Sequence, residues 1–136
     1  MSQDCSAWTC PQNDSWDQGN GNNTNITAVT VQSGETIRGI ICTGDEDWFS
    51  LTANACKPQV TITFDPNVAT VEAVITDTAG ATNNTNYEYE TIGTPSSGTF
   101  TVRMKNKSGL TPLFKISAPT ANNATQLYTA VFDCVD

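Results

Sequence analysis

Short segments of alternating apolar and polar residues run along most of this chain. The clearest is Gln59–Phe64, in which Val60, Ile62 and Phe64 alternate with threonines. A period of two is typical of a β-strand with one buried face. Clusters of Gly, Pro, Asn and Asp separate these segments at roughly 8–12-residue intervals, which is the spacing of strands in a β-sandwich.

We therefore predict an all-β fold, an antiparallel, jelly-roll-like β-sandwich of about nine strands. Residues 1–25 are polar and are predicted to form an extended N-terminal arm, while residues 26–136 form the sandwich domain. The length of 136 residues suits a single core. The predicted strands are Ile26–Val31, Thr36–Cys42, Asp47–Ala53, Gln59–Phe64, Thr70–Thr76, Tyr87–Ile92, Gly98–Met104, Leu113–Ala118 and Gln126–Asp133.

The predicted core consists of the apolar positions that share one face of these strands. Two such faces, one from each sheet, close on each other at about 10 Å in a sandwich. The predicted core residues are Val29, Ile41, Phe49, Leu51, Val60, Ile62, Val71, Ile75, Phe100, Val102, Ile116 and Val131.

The segment Cys42–Leu51 carries the strongest turn signal of the chain. Gly44 and Asp45 lie between two apolar runs, and Gly-Asp in that position predicts a hairpin. The carboxylates of Asp45 and Asp47 are a candidate cation site, because calcium prefers oxygen ligands. The alternative is that they cap the turn through hydrogen bonds.

Composition excludes several classes of partner. Charged residues make up only 15% of the chain, and the net charge is −8. Phosphate backbones and anionic membrane surfaces would be repelled, so we expect no nucleic acid and no membrane insertion. The chain also lacks an apolar run of the roughly 20 residues that span a bilayer. It begins Met-Ser-Gln-Asp-Cys without an apolar leader, so either a signal was removed or the protein is not exported.

Five cysteines in a small acidic chain favour an oxidising compartment. The chain has no His, and the spacing of Cys5, Cys10, Cys42, Cys56 and Cys134 matches no zinc site. Cys42 and Cys56 are expected not to pair, because a strand of about seven residues holds them roughly 23 Å apart. Cys134 is expected to pair with Cys5 or Cys56. The odd count leaves one thiol free or available for a homo-oligomer.

Asn-x-Ser/Thr sequences predict glycosylation in segments that we interpret as loops or chain ends. They begin at Asn13, Asn22, Asn25, Asn83, Asn106 and Asn123.

Three motifs carry a family resemblance across residues 14–118. Gly44–Phe49 matches the pattern Gly-Asp-x-Asp-aromatic-aromatic, and Gly98–Met104 matches Gly-Thr-aromatic-x-Val-Arg-Val. An upstream element, aromatic-Glu-Pro-Asn-Asp, is represented in part by Trp16–Asn20. These motifs resemble those of bacterial pre-peptidase C-terminal domains, which are β-sandwich modules appended to secreted proteases, collagenases and other exported proteins.

The resemblance implies attachment to a substrate or surface rather than catalysis. It also implies a Cys10–Cys42 disulfide, which would bring the N-terminal arm alongside the Gly-Asp turn. Some members of the family bind calcium between these two segments, so Ca²⁺ is a candidate cofactor. The implied ligands here are Asp45, Asp47, Asp14, Asp17 and Asn20.

Three aromatic residues are candidate ligand anchors. Tyr87 and Tyr89 lie two positions apart on a predicted strand, about 7 Å from each other, and could stack on sugar rings. Burial against the core is the favoured alternative for this pair, since Glu88 and Glu90 occupy the opposite face. Trp48 points away from Phe49, so we expect it to be partly exposed and to cover the N-terminal segment or bind a ligand.

Catalysis is not expected, because a chain without His has no Ser-His or Cys-His nucleophile pair. The favoured function is a non-catalytic, secreted or cell-surface module that adheres to an extracellular polysaccharide or protein surface. The alternative is a structural subunit of an adhesin or self-assembling fibre, since sheet edges allow strand addition.

Overall fold

The computed structural model describes residues 28–42, 46–67, 70–82, 84–117 and 125–136, with positions 40, 42, 125 and 126 described by their backbone. These residues form strands and two short 3-10 helices, at Thr85–Tyr87 and Pro95–Ser97. The strands are β1 (Val29–Val31), β2 (Thr36–Cys42), β3 (Glu46–Leu51), β4 (Lys57–Phe64), β5 (Glu72–Thr76), β6 (Tyr89–Thr94), β7 (Thr99–Met104), β8 (Leu113–Ser117) and β9 (Thr125–Val135).

The nine strands form two sheets, which confirms the predicted β-sandwich. Sheet A has the strand order β1-β3-β8-β5, and sheet B has the order β2-β9-β4-β7-β6. All pairs are antiparallel except β1 with β3, which is parallel. Strands β1 to β6 alternate between sheets A and B, so chain neighbours in this part of the fold lie in different sheets.

The predicted hairpin at the Gly-Asp turn is wrong. The strands on either side of it lie in different sheets, since β2 pairs with β9 while β3 pairs with β1 and β8. Both strands bury apolar side chains, with Ile37 and Ile41 on β2 and Phe49 and Leu51 on β3. A turn signal marks a reversal of the chain direction. It does not show whether the two flanking strands pair in one sheet or lie in different sheets.

An aromatic cluster joins the two sheets at the centre of the core. The ring of Phe132 on β9 lies 5.1 Å from that of Phe49 and 5.5 Å from that of Phe114, measured between centroids. All three side chains are fully buried. The predicted core residues Ile41, Phe49, Leu51, Val60, Ile62, Val71, Ile75, Phe100, Val102 and Ile116 are confirmed as buried.

Two of the predicted core residues are not fully buried. Val29 is partly buried and packs against the core from β1. Val131 is 39% exposed, so its assignment to the core is wrong. Strand β9 has apolar residues on both faces, and its buried face carries Tyr128, Ala130 and Phe132. Where both faces are apolar, alternation alone cannot say which one points inward.

A disulfide between Cys56 and Cys134 ties the start of β4 to β9, with the Cα atoms 5.5 Å apart. This selects one of the two partners that we considered for Cys134, and it excludes a Cys42–Cys56 pair. The predicted Cys10–Cys42 pair, Cys5 and the N-terminal arm lie outside the described residues. In the described ranges, no helix has the length and apolarity needed to cross a membrane.

Candidate binding surface

Trp48 lies on the outer face of sheet A, but only 6% of its surface is exposed. The expectation of a partly exposed indole is therefore wrong. Its ring nitrogen Nε1 donates a hydrogen bond to Glu46 Oε1 at 3.3 Å. Lys115 stands opposite Trp48 on β8, and its Nζ lies 5.7 Å from the centroid of the indole ring. The indole is thus packed within the fold, and ligand binding by Trp48 stays a prediction.

The predicted tyrosine pair does not share a strand face. Tyr87 ends the 3-10 helix Thr85–Tyr87, and only Tyr89 belongs to strand β6. Both rings are partly buried and pack against the core, which agrees with the favoured alternative. Burial also raises the pKa of the Tyr89 hydroxyl above its usual value. Sugar stacking by these two residues stays a prediction.

Asp47 points into the core, on the same face of β3 as Phe49, and is fully buried. The hydroxyl of Tyr128 on β9 donates a hydrogen bond to Asp47 Oδ2 at 2.6 Å, across the two sheets. Gly39 on β2 stands beside Tyr128, and a Cβ atom at Gly39 would overlap the tyrosine ring. Glycine at this position therefore makes the room in which Tyr128 can reach Asp47.

Only one of the five predicted calcium ligands lies within the described residues. Asp47 is described, whereas Asp45, Asp14, Asp17 and Asn20 lie outside the described ranges. Within those ranges no three His, Cys, Asp or Glu side chains cluster as metal ligands would. Calcium binding therefore stays a prediction, as does glycosylation. Among the glycosylation sites Asn106 is exposed after β7, whereas Asn13, Asn22, Asn25, Asn83 and Asn123 are not described.

The outer face of sheet B carries a set of β-branched side chains in two aligned rows. The strand registers place one residue of each row on β6, β7, β4 and β9 in turn. We call these residues the threonine face. The first row is Thr94, Thr99, Thr63 and Thr129, and the second row is Ile92, Thr101, Thr61 and Val131.

The threonine face is open to solvent. Thr94, Thr99 and Thr63 are exposed, as are Ile92 at 41% and Val131 at 39%. Leu127, which is 64% exposed, extends the face along β9. Apolar and hydroxyl groups thus share one accessible surface, which can offer a partner both apolar contacts and hydrogen bonds.

The threonine hydroxyls pair across β4 and β7. Thr61 Oγ1 and Thr101 Oγ1 lie 2.8 Å apart, which is a good hydrogen bond. Thr63 Oγ1 and Thr99 Oγ1 lie 3.5 Å apart, so their mutual bond is weak. Each hydroxyl offers one donor and two acceptor positions. The first row therefore keeps most of its hydrogen-bonding capacity available to a ligand.

The next row along the strands is charged and borders the threonine face. It consists of Glu90, Arg103, Gln59 and Asp133. Arg103 and Glu90 form an ion pair at 3.2 Å. The hydroxyl of Ser33 and the amide of Cys134 donate hydrogen bonds to Asp133 and lower the pKa of its carboxyl. The two rows themselves hold no ionisable side chain. On the neighbouring strand β2, however, the exposed Arg38 pairs with Thr129 and so continues the first row.

Sequence reasoning missed this surface, although a signal was present. The repeats Thr61-Ile-Thr63 and Thr99-Phe-Thr101 place two threonines on one face of two strands. By itself each repeat marks only the polar side of a half-buried strand. The register of β4 with β7 and β9 brings the threonines into rows, and that register is a tertiary property.

No family model matches this chain, and no curated protein matches it. Its structure is similar to the crystal structure of the pre-peptidase C-terminal domain of a collagenase from Bacillus anthracis. The TM-score is 0.56 at 15% sequence identity, with 78% of this chain and 94% of that chain covered. This likeness confirms, at the level of the fold, the resemblance expected from the three sequence motifs. The chain therefore has the same kind of β-sandwich as that domain.

Proposed function

We propose that this protein is a non-catalytic extracellular attachment module that contacts a polysaccharide or protein surface through its threonine face. The observation that carries the proposal is the threonine face, two rows of uncharged, β-branched side chains that lie largely exposed on the outer face of sheet B. A face of this kind can hold a partner by hydrogen bonds and apolar contacts, but it has no group that could transfer a proton.

Two further observations support attachment over catalysis. The fold resembles a domain of a collagenase, which is an enzyme that acts on an extracellular protein. The disulfide between Cys56 and Cys134 suits an oxidising, extracellular setting. Fold likeness by itself says little about function, so the proposal depends on the surface.

The second candidate function is a structural subunit that assembles through strand addition. Strand β6 is an edge of sheet B, and it is exposed from Thr91 to Thr94. An open edge is a template on which another strand can pair. The oligomeric state of the purified protein, with and without reductant, separates the two candidates. We expect a monomer under both conditions, whereas a polymer would favour the structural subunit.

The test of attachment is retention on insoluble surfaces, with amorphous cellulose, chitin and collagen as probes. We compare the wild type with Thr99→Glu, which places a charge on the threonine face, and with Thr30→Glu on the exposed part of β1 in sheet A. Both variants add one negative charge at an exposed threonine. Wild type and Thr30→Glu should be retained on at least one probe, and Thr99→Glu should be lost from it.

Two results would contradict this function. A wild-type protein that is retained on none of the probes is not an attachment module for these surfaces. Equal retention of Thr99→Glu and Thr30→Glu would show that the threonine face is not the surface through which the protein attaches.

A further inference from the structure

We propose that the threonine face binds a single linear, uncharged polysaccharide chain that lies across the strands and is held by the threonine hydroxyls. This inference rests on the proposed function above, and it names the ligand class and the groups that recognise it.

The charges of the protein and of the residues around the threonine face indicate which class of polymer the face binds. The protein has a net charge of −8, which repels anionic polymers. The threonine face has no carboxylate with which to bind a cationic polymer, and the border row balances most of its own charge through the Arg103–Glu90 pair. Arg38 on β2 and Asp133 in the border row place one charge of each sign beside the threonine face, and the eight uncharged side chains of the face favour a neutral polymer.

The spacing of the threonine hydroxyls indicates the direction in which the polysaccharide chain lies. Neighbouring strands lie about 4.7–4.9 Å apart, so the first row offers a hydroxyl at each such step from Thr94 to Thr129, about 14 Å in all. A polymer with hydroxyl groups on every repeating unit can pair with several of them when it runs along the row. The wide Thr63–Thr99 separation of 3.5 Å leaves the central hydroxyls free to bond outward.

Sheet twist favours a single chain over a crystalline surface. Adjacent strands in a sheet rotate by roughly 20–25°, so the row turns as it crosses four strands. A flexible chain can follow this turn, whereas a flat crystal face meets only part of the row. We therefore expect binding to dissolved or amorphous polysaccharide to exceed binding to crystalline polysaccharide.

Hydrogen bonds, rather than stacking, must supply the recognition. The threonine face contains no aromatic residue, and its methyl groups can contact only the C–H edges of a sugar. Deleting hydroxyls while keeping the shape of the side chains is therefore the decisive change.

The experiment is affinity electrophoresis in native gels that contain xylan, galactomannan or mixed-linkage β-glucan, with alginate as the anionic comparison. The variants are Thr63→Val/Thr99→Val, which removes two hydroxyls, and Thr63→Ser/Thr99→Ser, which keeps them. Thr30→Val on β1 is the matched control. All of these variants keep the wild-type charge, so their mobilities in gels without polysaccharide should agree. Circular dichroism of each variant confirms that it is folded.

We expect at least one neutral polysaccharide to retard the wild type, the serine variant and Thr30→Val, with no retardation by alginate. The valine variant should bind about 10- to 30-fold more weakly, from about 1 kcal/mol for each lost hydrogen bond. Retention of the valine variant at wild-type strength would overturn hydroxyl recognition while leaving attachment intact. A wild type that binds collagen but no polysaccharide would overturn the ligand class alone. The valine variant could instead self-associate while the wild type binds no polysaccharide. That result would show that the face packs against another sheet, and it would overturn the inference.

Discussion

The two outer faces of the sandwich differ in chemistry and in accessibility. On sheet A, Trp48 is covered and holds an ion pair against its ring, since Lys115 Nζ lies 3.6 Å from Glu46 Oε2. On sheet B, the threonine face carries no charge and no aromatic ring, and much of it is exposed. The face with the residue types usually associated with binding is thus the one less available to a ligand.

This difference shows that accessibility and register must be known before a residue type is taken as a binding signal. A tryptophan next to a charged pair can be a packing residue, as Trp48 is. Threonines that merely complete an alternation can form an ordered surface once three strands align them, as Thr63, Thr99 and Thr129 do.

The largest expected effect is on sheet A. Trp48→Ala should lower the free energy of unfolding by about 3–5 kcal/mol, because a buried indole is removed and its volume is not refilled. Retention on the polymer that binds the wild type should not change under conditions where the variant is folded. Chemical denaturation measures the first quantity, and the retention assay measures the second. A variant of unchanged stability that no longer binds would restore Trp48 as a ligand anchor.

Loss of the disulfide should have the next largest effect, and it should fall on sheet B. The Cys56–Cys134 bond closes a separation of 78 residues, and Cys56→Ala/Cys134→Ala should cost about 2–4 kcal/mol. Hydrogen exchange should accelerate most where β4 pairs with the end of β9. Denaturation combined with amide exchange checks both statements. Faster exchange in β3 and β8 instead would show that the bond acts mainly on sheet A.

The hydrogen bond that connects the two sheets should have a smaller effect. Tyr128→Phe removes the donor to Asp47 Oδ2 and keeps the ring, so it should cost about 1–3 kcal/mol. Gly39→Ala should also destabilise the fold, because its Cβ would overlap the same tyrosine ring. Denaturation of both variants tests this. If Tyr128→Phe were as stable as the wild type, the contact between Tyr128 and Asp47 would not contribute to the free energy of unfolding.

The smallest effect is that of pH. We expect pH to change the stability of the fold through Asp133 but not binding at the threonine face. The lowered pKa of Asp133 means that its contribution to stability is present above the unfolded value of about 3.9 and is lost as pH falls through the folded value. Ser33→Ala removes the principal cause of that shift and should reduce the loss of stability in acid. Thermal melts from about pH 2 to about pH 6 measure this.

Binding should not follow that titration, since no side chain of the threonine face ionises. Retention should be constant from about pH 5 to about pH 9 for the folded protein. A titration of retention in this range would implicate the charged border or the residues of sheet A instead.

Local sequence rules predicted the strands well where one face is apolar and the other is polar. Strand β2 begins and ends at the predicted residues, and the alternation of Val60, Ile62 and Phe64 correctly placed one face of β4 in the core. Periodicity is sufficient there because only one orientation of the strand buries apolar groups.

The rest depended on contacts between segments that are distant in the chain. On β9, Leu127 and Val131 compete with Tyr128 and Phe132 for the core, and only the facing sheet decides between them. The Gly-Asp turn could not show that its flanking strands belong to different sheets. The threonine face, likewise, follows from three strand registers that no local pattern contains.

Amide chemical-shift mapping locates the contact surface, which we place on the outer face of sheet B. A soluble oligosaccharide of the neutral polymer that retards the wild type is titrated into isotope-labelled protein. If the threonine face binds the ligand, the shifted amides will cluster on β4, β7 and β9, around Thr63, Thr99 and Thr129. Shifts that cluster on β3 and β8 around Trp48, or around Tyr87 and Tyr89, would contradict it.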